Sequence, residues 1–311
     1  MEKPQRTHDY SVHHLFDPTR WDQFQPRQDD VVVTTSLRSG TTWTQVIVAN
    51  LIFQDGNMPA PIGEMSPWFE LRLHPFEPLL AALDAQQHRR IIKSHLPLNG
   101  MTFHEQMKYI VVGRDTRDVF MSLVHHFRGY SAEAIKRVSV YDELIGRSFP
   151  PDMGDDKDFW KKWMTQSWFE WENQGYPYWS HLNFAQSWWS YRMLPNVLLL
   201  HFEDLLNDTE GEIKRIAAFL DISIDEAHWP DIKRRTRFDE INKNMDKILP
   251  EMKVMLRNGP SDYMYKGANG LWREFLDEED LALYHAAVKG ALTSDCARWL
   301  ERGRNASGLE L

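Results

Sequence analysis

Residues 31–43 read Val-Val-Val-Thr-Thr-Ser-Leu-Arg-Ser-Gly-Thr-Thr-Trp and contain the pattern that decides the fold. Their first part, Val31–Thr35, is short, apolar and β-branched, which predicts a buried parallel strand. A helix follows at once, because Trp43, Val46 and Ile47 recur at helical spacing. The short loop between strand and helix predicts an anion site, since backbone N–H groups and the positive end of the helix dipole converge there.

The side chains of this loop refine the prediction. Gly40 lets the backbone approach an anion closely, and Thr41 and Thr42 offer hydroxyl donors. The loop is not a Walker A motif, in which Lys follows the last Gly, because its cation, Arg38, stands two residues before Gly40. The loop therefore indicates an anionic nucleotide that is held without an obligatory metal ion.

Three further runs predict buried strands, each followed by polar or helical sequence: residues 90–93, 108–112 and 196–201. Alternation of strands and helices predicts an α/β fold with a central parallel sheet flanked by helices on both faces. A chain of 311 residues is within reach of one large domain of this class. We therefore expect residues 1–311 to form a single α/β domain with a P-loop-like phosphate site.

Four segments resemble, in the same order, the motifs of the cytosolic-type sulfotransferases, which use 3′-phosphoadenosine 5′-phosphosulfate (PAPS). Residues 37–43 resemble the 5′-phosphosulfate loop PKSGTTW, and residues 93–97 (Lys-Ser-His-Leu-Pro) resemble the KTHLP segment. Residues 113–122 resemble the 3′-phosphate segment, and residues 266–272 resemble RKGxxGDW. The closest likeness is to soluble, bacterial-type members of the family. The resemblance implies in-line transfer of a sulfuryl group from PAPS to a hydroxyl or amine.

The resemblance also implies catalytic roles. His95 corresponds to the general base, and imidazole titrates near operating pH. Lys93 and Arg38 correspond to the cations around the moving sulfuryl group. Arg38 departs from the family, where Lys is usual; arginine keeps the charge and gains bidentate reach, but it cannot donate a proton.

The implied PAPS contacts run from the phosphate loop to a flap near the C-terminus. They are Arg38, Ser39, Gly40, Thr41, Thr42, Trp43, Arg114, Ser122, Phe202, Thr236, Phe238, Lys266 and Gly267. Within this set, Arg114 and Ser122 correspond to ligands of the 3′-phosphate, and Trp43 and Phe238 to rings that sandwich adenine. Phe202 lines the same pocket, and no metal is required.

Two positions of the flap depart from the family pattern. Tyr265 stands where Arg is usual, and Leu271 stands where Asp is usual. These departures bear on the affinity for PAPS rather than on the chemistry of transfer.

By the same resemblance, the acceptor pocket lies beside His95 and includes Trp68, Phe69, His126, Phe127 and Tyr130. This lining is mostly apolar and aromatic and has no excess of cations. We therefore expect an uncharged, flat or moderately sized hydroxylated molecule rather than an anionic carbohydrate, which would need a basic groove.

Composition narrows the partners. The net charge of −9 argues against nucleic acid or an anionic membrane as the principal partner. A single cysteine, Cys296, excludes an intramolecular disulfide and favours a reducing compartment. No signal-peptide pattern and no run near the roughly 20 apolar residues of a membrane span is found. We expect a cytoplasmic protein with a small-molecule acceptor; the sequence does not address its oligomeric state.

Two other functions fit parts of the pattern. A nucleoside-triphosphate-dependent kinase would show magnesium-dependent ATP binding and no affinity for 3′,5′-ADP. A non-catalytic nucleotide-binding scaffold of the same fold would fit the altered positions Arg38 and Tyr265, although the presence of Lys93 and His95 argues against it.

Overall fold

The computed structural model describes residues 3–308 and contains a four-stranded parallel sheet. The strands are β1 (Val31–Thr35), β2 (Ile91–Ser94), β3 (Lys108–Gly113) and β4 (Val197–His201), in the spatial order β2-β1-β3-β4. All three pairings are parallel. The α/β fold with a central parallel sheet is thus confirmed, and each predicted strand lies within one residue or two of its expected limits.

Alternate side chains of each strand enter two separate core layers. In β1, Val32 packs with the aromatic-rich layer, which includes Tyr109. Val31 and Val33 point to the opposite face and pack with a more aliphatic layer, which includes Ile47. Because successive strand residues face opposite sides and both sides are buried, these strands are apolar throughout rather than alternating.

Helices cover both faces of the sheet. The α-helices of the described residues are α1 (Arg20–Gln23), α2 (Thr41–Ile52), α3 (Ile62–Met65), α4 (Phe76–Ala85), α5 (Thr116–Arg128), α6 (Ala132–Ser139), α7 (Asp142–Ile145), α8 (Asp156–Thr165), α9 (His181–Trp189), α10 (Phe202–Asn207), α11 (Thr209–Phe219), α12 (Trp229–Arg235), α13 (Phe238–Lys243), α14 (Met245–Ile248), α15 (Met252–Met255), α16 (Glu278–Ala291) and α17 (Ser294–Ser307). Short 3-10 helices occupy Tyr10–Val12, Leu98–Gly100, Pro260–Asp262 and Leu271–Glu274. Across residues 3–308, no helix is both long and apolar enough to cross a lipid bilayer.

The strand order places the predicted site at one edge of the sheet. From β1 the chain goes to β2 on one side, and from β2 it crosses to β3 on the other side. Such a reversal opens a crevice at the carboxyl ends of the strands, where α/β proteins bind ligands. The phosphate loop follows β1, His95 follows β2, Arg114 follows β3 and Phe202 follows β4.

Most tryptophans of the middle of the chain belong to the core. Trp160, Trp163, Trp188 and Trp189 are at most 2% exposed and pack in the aromatic-rich layer. The many tryptophans in the middle of the chain therefore reflect packing of the core and not the lining of a pocket.

Candidate active site

A cavity of about 280 Å³ lies at the carboxyl edge of the sheet, and two sets of residues line it. We call the first set the nucleotide half: Arg38, Gly40, Thr41, Thr42, Trp43, Arg114, Ser122, Phe202, Phe238 and Gly267. We call the second set the acceptor half: Leu15, Trp68, Leu71, Leu73, His126, Tyr130, Ala134, Ile135, Val138, Phe149, Leu249, Met252, Val254 and Met255, together with the polar residues His74, Arg137 and Glu251. Lys93 and His95 line the same cavity.

The phosphate loop is held in shape by its backbone and by buried hydroxyls. Gly40 has φ +104°, and a Cβ there would lie 2.9 Å from the ring of Phe202, so a side chain is excluded. The hydroxyl of Ser39 bonds that of Ser36 at 2.8 Å, and Ser36 in turn bonds the ring of His181. Ser39 is fully buried and does not line the cavity, so its side chain supports the loop from behind.

His95 is held in one neutral form. Its Nδ1 lies 2.7 Å from the carbonyl oxygen of Thr35, and because a carbonyl can only accept, Nδ1 carries the proton. Burial lowers the pKa of His95 well below its usual value, and the positive charges of Lys93 and Arg38 lower it further. The unprotonated nitrogen is then Nε2, for which the described residues supply no hydrogen-bond partner. This arrangement suits a general base.

A buried carboxylate that the sequence did not reveal fixes the segment around His95. Glu70 is fully buried, and its Oε1 accepts from the backbone N–H of His95 at 2.6 Å, from Ser94 Oγ at 3.0 Å and from Trp68 Nε1 at 2.8 Å. The other oxygen, Oε2, accepts from Trp21 Nε1 at 3.3 Å. Burial raises the pKa of Glu70, and these donors oppose that effect. Glu70 is therefore a positioning residue for His95 and Trp68.

Trp68 connects the base with the neighbouring cation. Its ring lies 4.6 Å from the ring of His95, nearly perpendicular to it. The ammonium of Lys93 lies 5.1 Å from the centre of the same indole. This contact is within cation–π range, so it can steady the lysine while leaving its N–H donors available to a ligand.

Arg38 reaches across the cavity and contacts two distant segments. Its Nε donates to Ser122 Oγ at 3.0 Å, and its Nη2 donates to the carbonyl of Tyr263 at 2.6 Å. The guanidinium also lies 4.9 Å from the centre of the Tyr263 ring. Burial lowers the pKa of Arg38. The loop cation and the expected 3′-phosphate ligand Ser122 are thus brought together.

Tyr263 is a second polar residue of the site that the sequence did not reveal. Its hydroxyl lies 3.3 Å from Thr42 Oγ1, in the first turn of α2, where the anion is expected. Burial alone would raise the pKa of Tyr263, but the charges of Lys93 and Arg38 together lower it. A phenol with a lowered pKa is a stronger hydrogen-bond donor. The only signal in the sequence was the position of Tyr263 just before the flap.

Arg114 ties the phosphate loop to the flap at residues 266–270. Its Nη1 donates to the carbonyl of Arg38 at 3.0 Å, its Nη2 to the carbonyl of Ala268 at 3.1 Å and its Nε to Asn269 Oδ1 at 3.1 Å. The guanidinium lies 4.1 Å from the centre of the Phe202 ring. Burial lowers the pKa of Arg114 to about 10. A buried cation of this kind suits an anionic ligand.

The flap is anchored on the other side by a carboxylate. The backbone N–H of Gly270 donates to Asp118 Oδ1 at 2.7 Å. Burial and the neighbouring charge of Asp115 raise the pKa of Asp118 to about 6. Gly267 has φ +61°, and a Cβ there would lie 2.2 Å from Phe238. Lys266 is exposed and does not line the cavity in this arrangement.

The three aromatic residues expected around adenine are in mutual contact. Trp43 meets Phe202 at 5.6 Å and Phe238 at 5.4 Å, both edge to face. Trp43 and Phe238 therefore touch edge to face in this structure, and a sandwich of adenine between them stays a prediction. Thr236 is fully buried: its hydroxyl bonds the carbonyl of Ile232, and its own carbonyl accepts from Trp43 Nε1. It holds Trp43 in place and does not face the cavity.

The expected acceptor residues divide between the cavity and the core. Trp68, His126 and Tyr130 line the cavity. Phe69 is fully buried and Phe127 is 8% exposed, and both pack in the aromatic-rich layer outside the cavity wall. The side of the helix or extended segment on which each side chain lies decides this division.

His126 is one of the polar residues of the acceptor half, with His74, Arg137 and Glu251. Burial lowers its pKa well below the usual value, and the charge of Arg38 lowers it further. Its Nδ1 is buried and has no hydrogen-bond partner within residues 3–308. The phenol of Tyr130 is paired with that of Tyr178 at 2.9 Å. The remaining wall is largely aliphatic, which the sequence did not predict.

The same region of the chain offers no cation site of the usual kind. Among the described residues, no three His, Cys, Asp or Glu side chains are grouped so that they could hold a metal ion.

Comparison with known proteins identifies relatives of this arrangement. The sulfotransferase domain family model matches residues 28–297. A glycolipid sulfotransferase of Mycobacterium tuberculosis is 29% identical over 306 residues, which is 93% of each chain. Sulfotransferase 1E1 of Homo sapiens is 28% identical over 265 residues, which is 81% of each chain.

Two solved structures share the fold. Mouse sulfotransferase SULT7A1, complexed with PAP, superposes with a TM-score of 0.68 at 20% identity, over 94% of this chain and 98% of that chain. Retinol dehydratase, in complex with androsterone and the inactive cofactor PAP, superposes with a TM-score of 0.64 at 23% identity, over 89% of this chain and 84% of that chain.

Proposed function

We propose that this chain sulfates a hydroxyl or amine of a small, largely apolar acceptor, with His95 as the general base. The chain belongs to the sulfotransferase family and is a PAPS-dependent sulfotransferase. One observation carries this proposal. The neutral, oriented imidazole of His95 shares a cavity with the phosphate loop, Arg38 and Arg114.

In the proposed reaction, the acceptor oxygen attacks the sulfur of PAPS and gives its proton to Nε2 of His95. A new O–S bond forms while the bond between sulfur and the bridging oxygen of the 5′-phosphate breaks. The products are a sulfate ester, 3′,5′-ADP and one proton, which His95 passes to solvent. The reaction needs no redox partner and no metal ion.

The cations of the site have separate tasks in this scheme. Lys93 and Arg38 stabilise the charge that develops on the sulfuryl group and on the leaving oxygen. Arg114 and Ser122 hold the 3′-phosphate. Both guanidiniums are desolvated, which strengthens their attraction for an anion.

The acceptor is proposed on the character of the cavity wall. The acceptor half is lined mainly by apolar side chains, and its polar groups are few. A relative is named for its action on a glycolipid, a molecule with a large apolar part. Both observations support an acceptor that buries apolar surface and presents one hydroxyl to His95.

The decisive experiment measures transfer from radiolabelled PAPS to a panel of phenols and alcohols, with His95→Ala as the test variant. We expect a loss of roughly 10²-fold or more in kcat, the usual consequence of removing a general base. Binding of 3′,5′-ADP, measured by calorimetry in the presence of EDTA, should remain nearly normal. His88→Ala, a change in a half-buried histidine that does not line the cavity, is the matched control.

Three outcomes would count against the proposal. Near-normal kcat in His95→Ala would place the base elsewhere. Binding of 3′,5′-ADP without transfer to any acceptor would favour the non-catalytic scaffold. Magnesium-dependent ATP binding without affinity for 3′,5′-ADP would favour the kinase.

Arg38 is tested by two substitutions. Arg38→Lys keeps the charge and the family's usual residue, so we expect it to be tolerated, whereas Arg38→Ala should lower kcat more than it raises KM for PAPS. An equal loss of PAPS binding in both variants would assign Arg38 to anchoring of the phosphate alone.

A further inference from the structure

The wall of the acceptor half is aliphatic rather than aromatic. Its largest group of side chains is leucine, isoleucine, valine and methionine, contributed by α6, α15 and the segment around Leu71 and Leu73. Trp68, which faces His95, is one of its few aromatic rings. Flexible leucine and methionine side chains adapt to a flexible partner, whereas a flat ring is usually held between aromatic faces.

The same wall opens to solvent through apolar side chains. Ile135 on α6 and Val254 on α15 both line the cavity, yet they are 37% and 41% exposed. The two helices are adjacent, because Ser131 Oγ donates to the carbonyl of Val254 at 2.5 Å. Ile135 and Val254 therefore line the cavity and reach solvent on two neighbouring helices, and we call this pair the mouth.

Exposed apolar surface continues along the chain from the mouth. Val140, which ends α6, is 69% exposed, and Leu144 on α7 is 67% exposed. Together with the two residues of the mouth they make four of the seven large hydrophobic side chains that are exposed within residues 3–308. Val140 and Leu144 do not line the cavity, so the two residues of the mouth are the exposed apolar groups that favour contact with an apolar ligand.

From these observations we infer that the acceptor is an aliphatic alcohol with a long alkyl chain. Its hydroxyl lies at His95, its chain follows the aliphatic wall, and the end of a long chain leaves the protein between Ile135 and Val254. This inference rests on the proposed sulfotransferase function and names the substrate class of that site. It narrows the uncharged, flat or moderately sized hydroxylated acceptor that the sequence led us to expect to one with a flexible alkyl chain.

The experiment compares kcat/KM for a series of straight-chain primary alcohols, from 1-butanol to 1-decanol, with that for 2-naphthol. Each methylene buried in the cavity should raise kcat/KM by up to about fourfold. For alcohols longer than the distance from His95 to the mouth, kcat/KM should stay constant, because additional carbons enter solvent. A steep fall would instead show a closed pocket and overturn the inference.

Substitutions at the mouth sharpen the test. Ile135→Ser and Val254→Ser change exposed positions, so folding should be preserved. We expect each to lower kcat/KM for 1-decanol by roughly 3- to 10-fold, as for loss of one or two buried carbons, and to lower it less for 1-butanol, which is too short to reach the mouth. Met193→Ser is the matched control, since Met193 is 67% exposed but precedes β4, at the opposite edge of the sheet.

The outcomes separate the two proposals. Transfer to 2-naphthol with no gain along the alcohol series, or an equal effect of the Met193 control, overturns the inference and leaves the sulfotransferase function intact. Binding of 3′,5′-ADP with no transfer to any acceptor overturns the proposed function, and the inference falls with it.

Discussion

The two halves of the cavity are built in different ways. Most of the nucleotide half is formed by residues that follow the strands, so the sheet sets their positions; Ser122, Phe238 and Gly267 are the exceptions. Most of the acceptor half is formed by α6, α15 and loops away from the strand ends, with His126 on α5 and Trp68 beside β2 as the exceptions. The difference suggests that the sheet fixes the chemistry, while the peripheral helices fix the choice of acceptor.

The largest effect on nucleotide binding is expected from Arg114→Ala. This change removes charge-assisted hydrogen bonds to the nucleotide, worth about 1.5–3 kcal/mol each, and should weaken 3′,5′-ADP binding by roughly 10- to 100-fold in calorimetry. Arg128→Ala, which removes an exposed arginine at the end of the helix that follows Arg114, should leave the Kd unchanged. Unaltered binding in Arg114→Ala would show that the sheet edge does not define the nucleotide site.

A smaller effect is expected from Tyr263→Phe, which removes only the hydroxyl beside Thr42. Loss of one hydrogen bond that matters most in the transition state should lower kcat by roughly 5- to 10-fold with little change in KM for PAPS. Tyr176→Phe, in a ring that stacks on Trp168 away from the cavity, is the control. If KM rises and kcat stays normal, Tyr263 only helps to bind the nucleotide.

Substitutions in the acceptor half should have smaller effects, and these should appear in the KM for the acceptor. Leu73→Val removes one carbon from the wall and should raise the acceptor KM by about two- to fourfold, with kcat and 3′,5′-ADP binding unchanged. Leu80→Val makes the same change in a residue that packs on the core outside the cavity. A change in nucleotide affinity on Leu73→Val would break the proposed separation of the two halves.

The smallest effect concerns pH. A general base works only when it is unprotonated, and the pKa of His95 lies well below 6.5 because of burial and the nearby cations. The kcat should therefore change less than about twofold between pH 8 and pH 6.5 and fall only at lower pH. An acid limb centred at or above pH 6.5 would contradict this. In Lys93→Met, the acid limb of the pH profile should shift to higher pH, since one positive charge that lowers the pKa of His95 is lost.

The fold was predictable from sequence because buried parallel strands are apolar without interruption. The continuous runs at β1 and β4 could not be explained as half-exposed strands, and the loop after β1 carried a recognisable pattern. The residues that follow each strand could be placed near one another for the same reason, since parallel strands end at the same edge.

The acceptor residues were harder to predict, although one signal was present. Ser122, His126 and Tyr130 are spaced four residues apart and share the cavity side of α5 and its end, whereas Phe127 lies on another side, against Phe159. A strict reading of helical spacing would have separated Phe127 from the other three.

Phe69, the second expected acceptor residue that lies outside the cavity, belongs to an extended segment. Trp68 makes a parallel bridge with Lys93 and faces His95, so its neighbour Phe69 points the other way, against Trp21. Glu70 had no local signal and Tyr263 only its position just before the flap, because their importance comes from partners brought together by the fold.

Two backbone hydrogen bonds join the segments that form the mouth. The N–H of Arg257 donates to the carbonyl of Gly129, and the N–H of Ser131 donates to the carbonyl of Met255. Backbone bonds do not depend on which side chains the residues carry. Point mutations can therefore change the aliphatic side chains of the wall while the backbone keeps its position relative to the catalytic residues. Specificity for new acceptors can then evolve without any change in the residues that transfer the sulfuryl group.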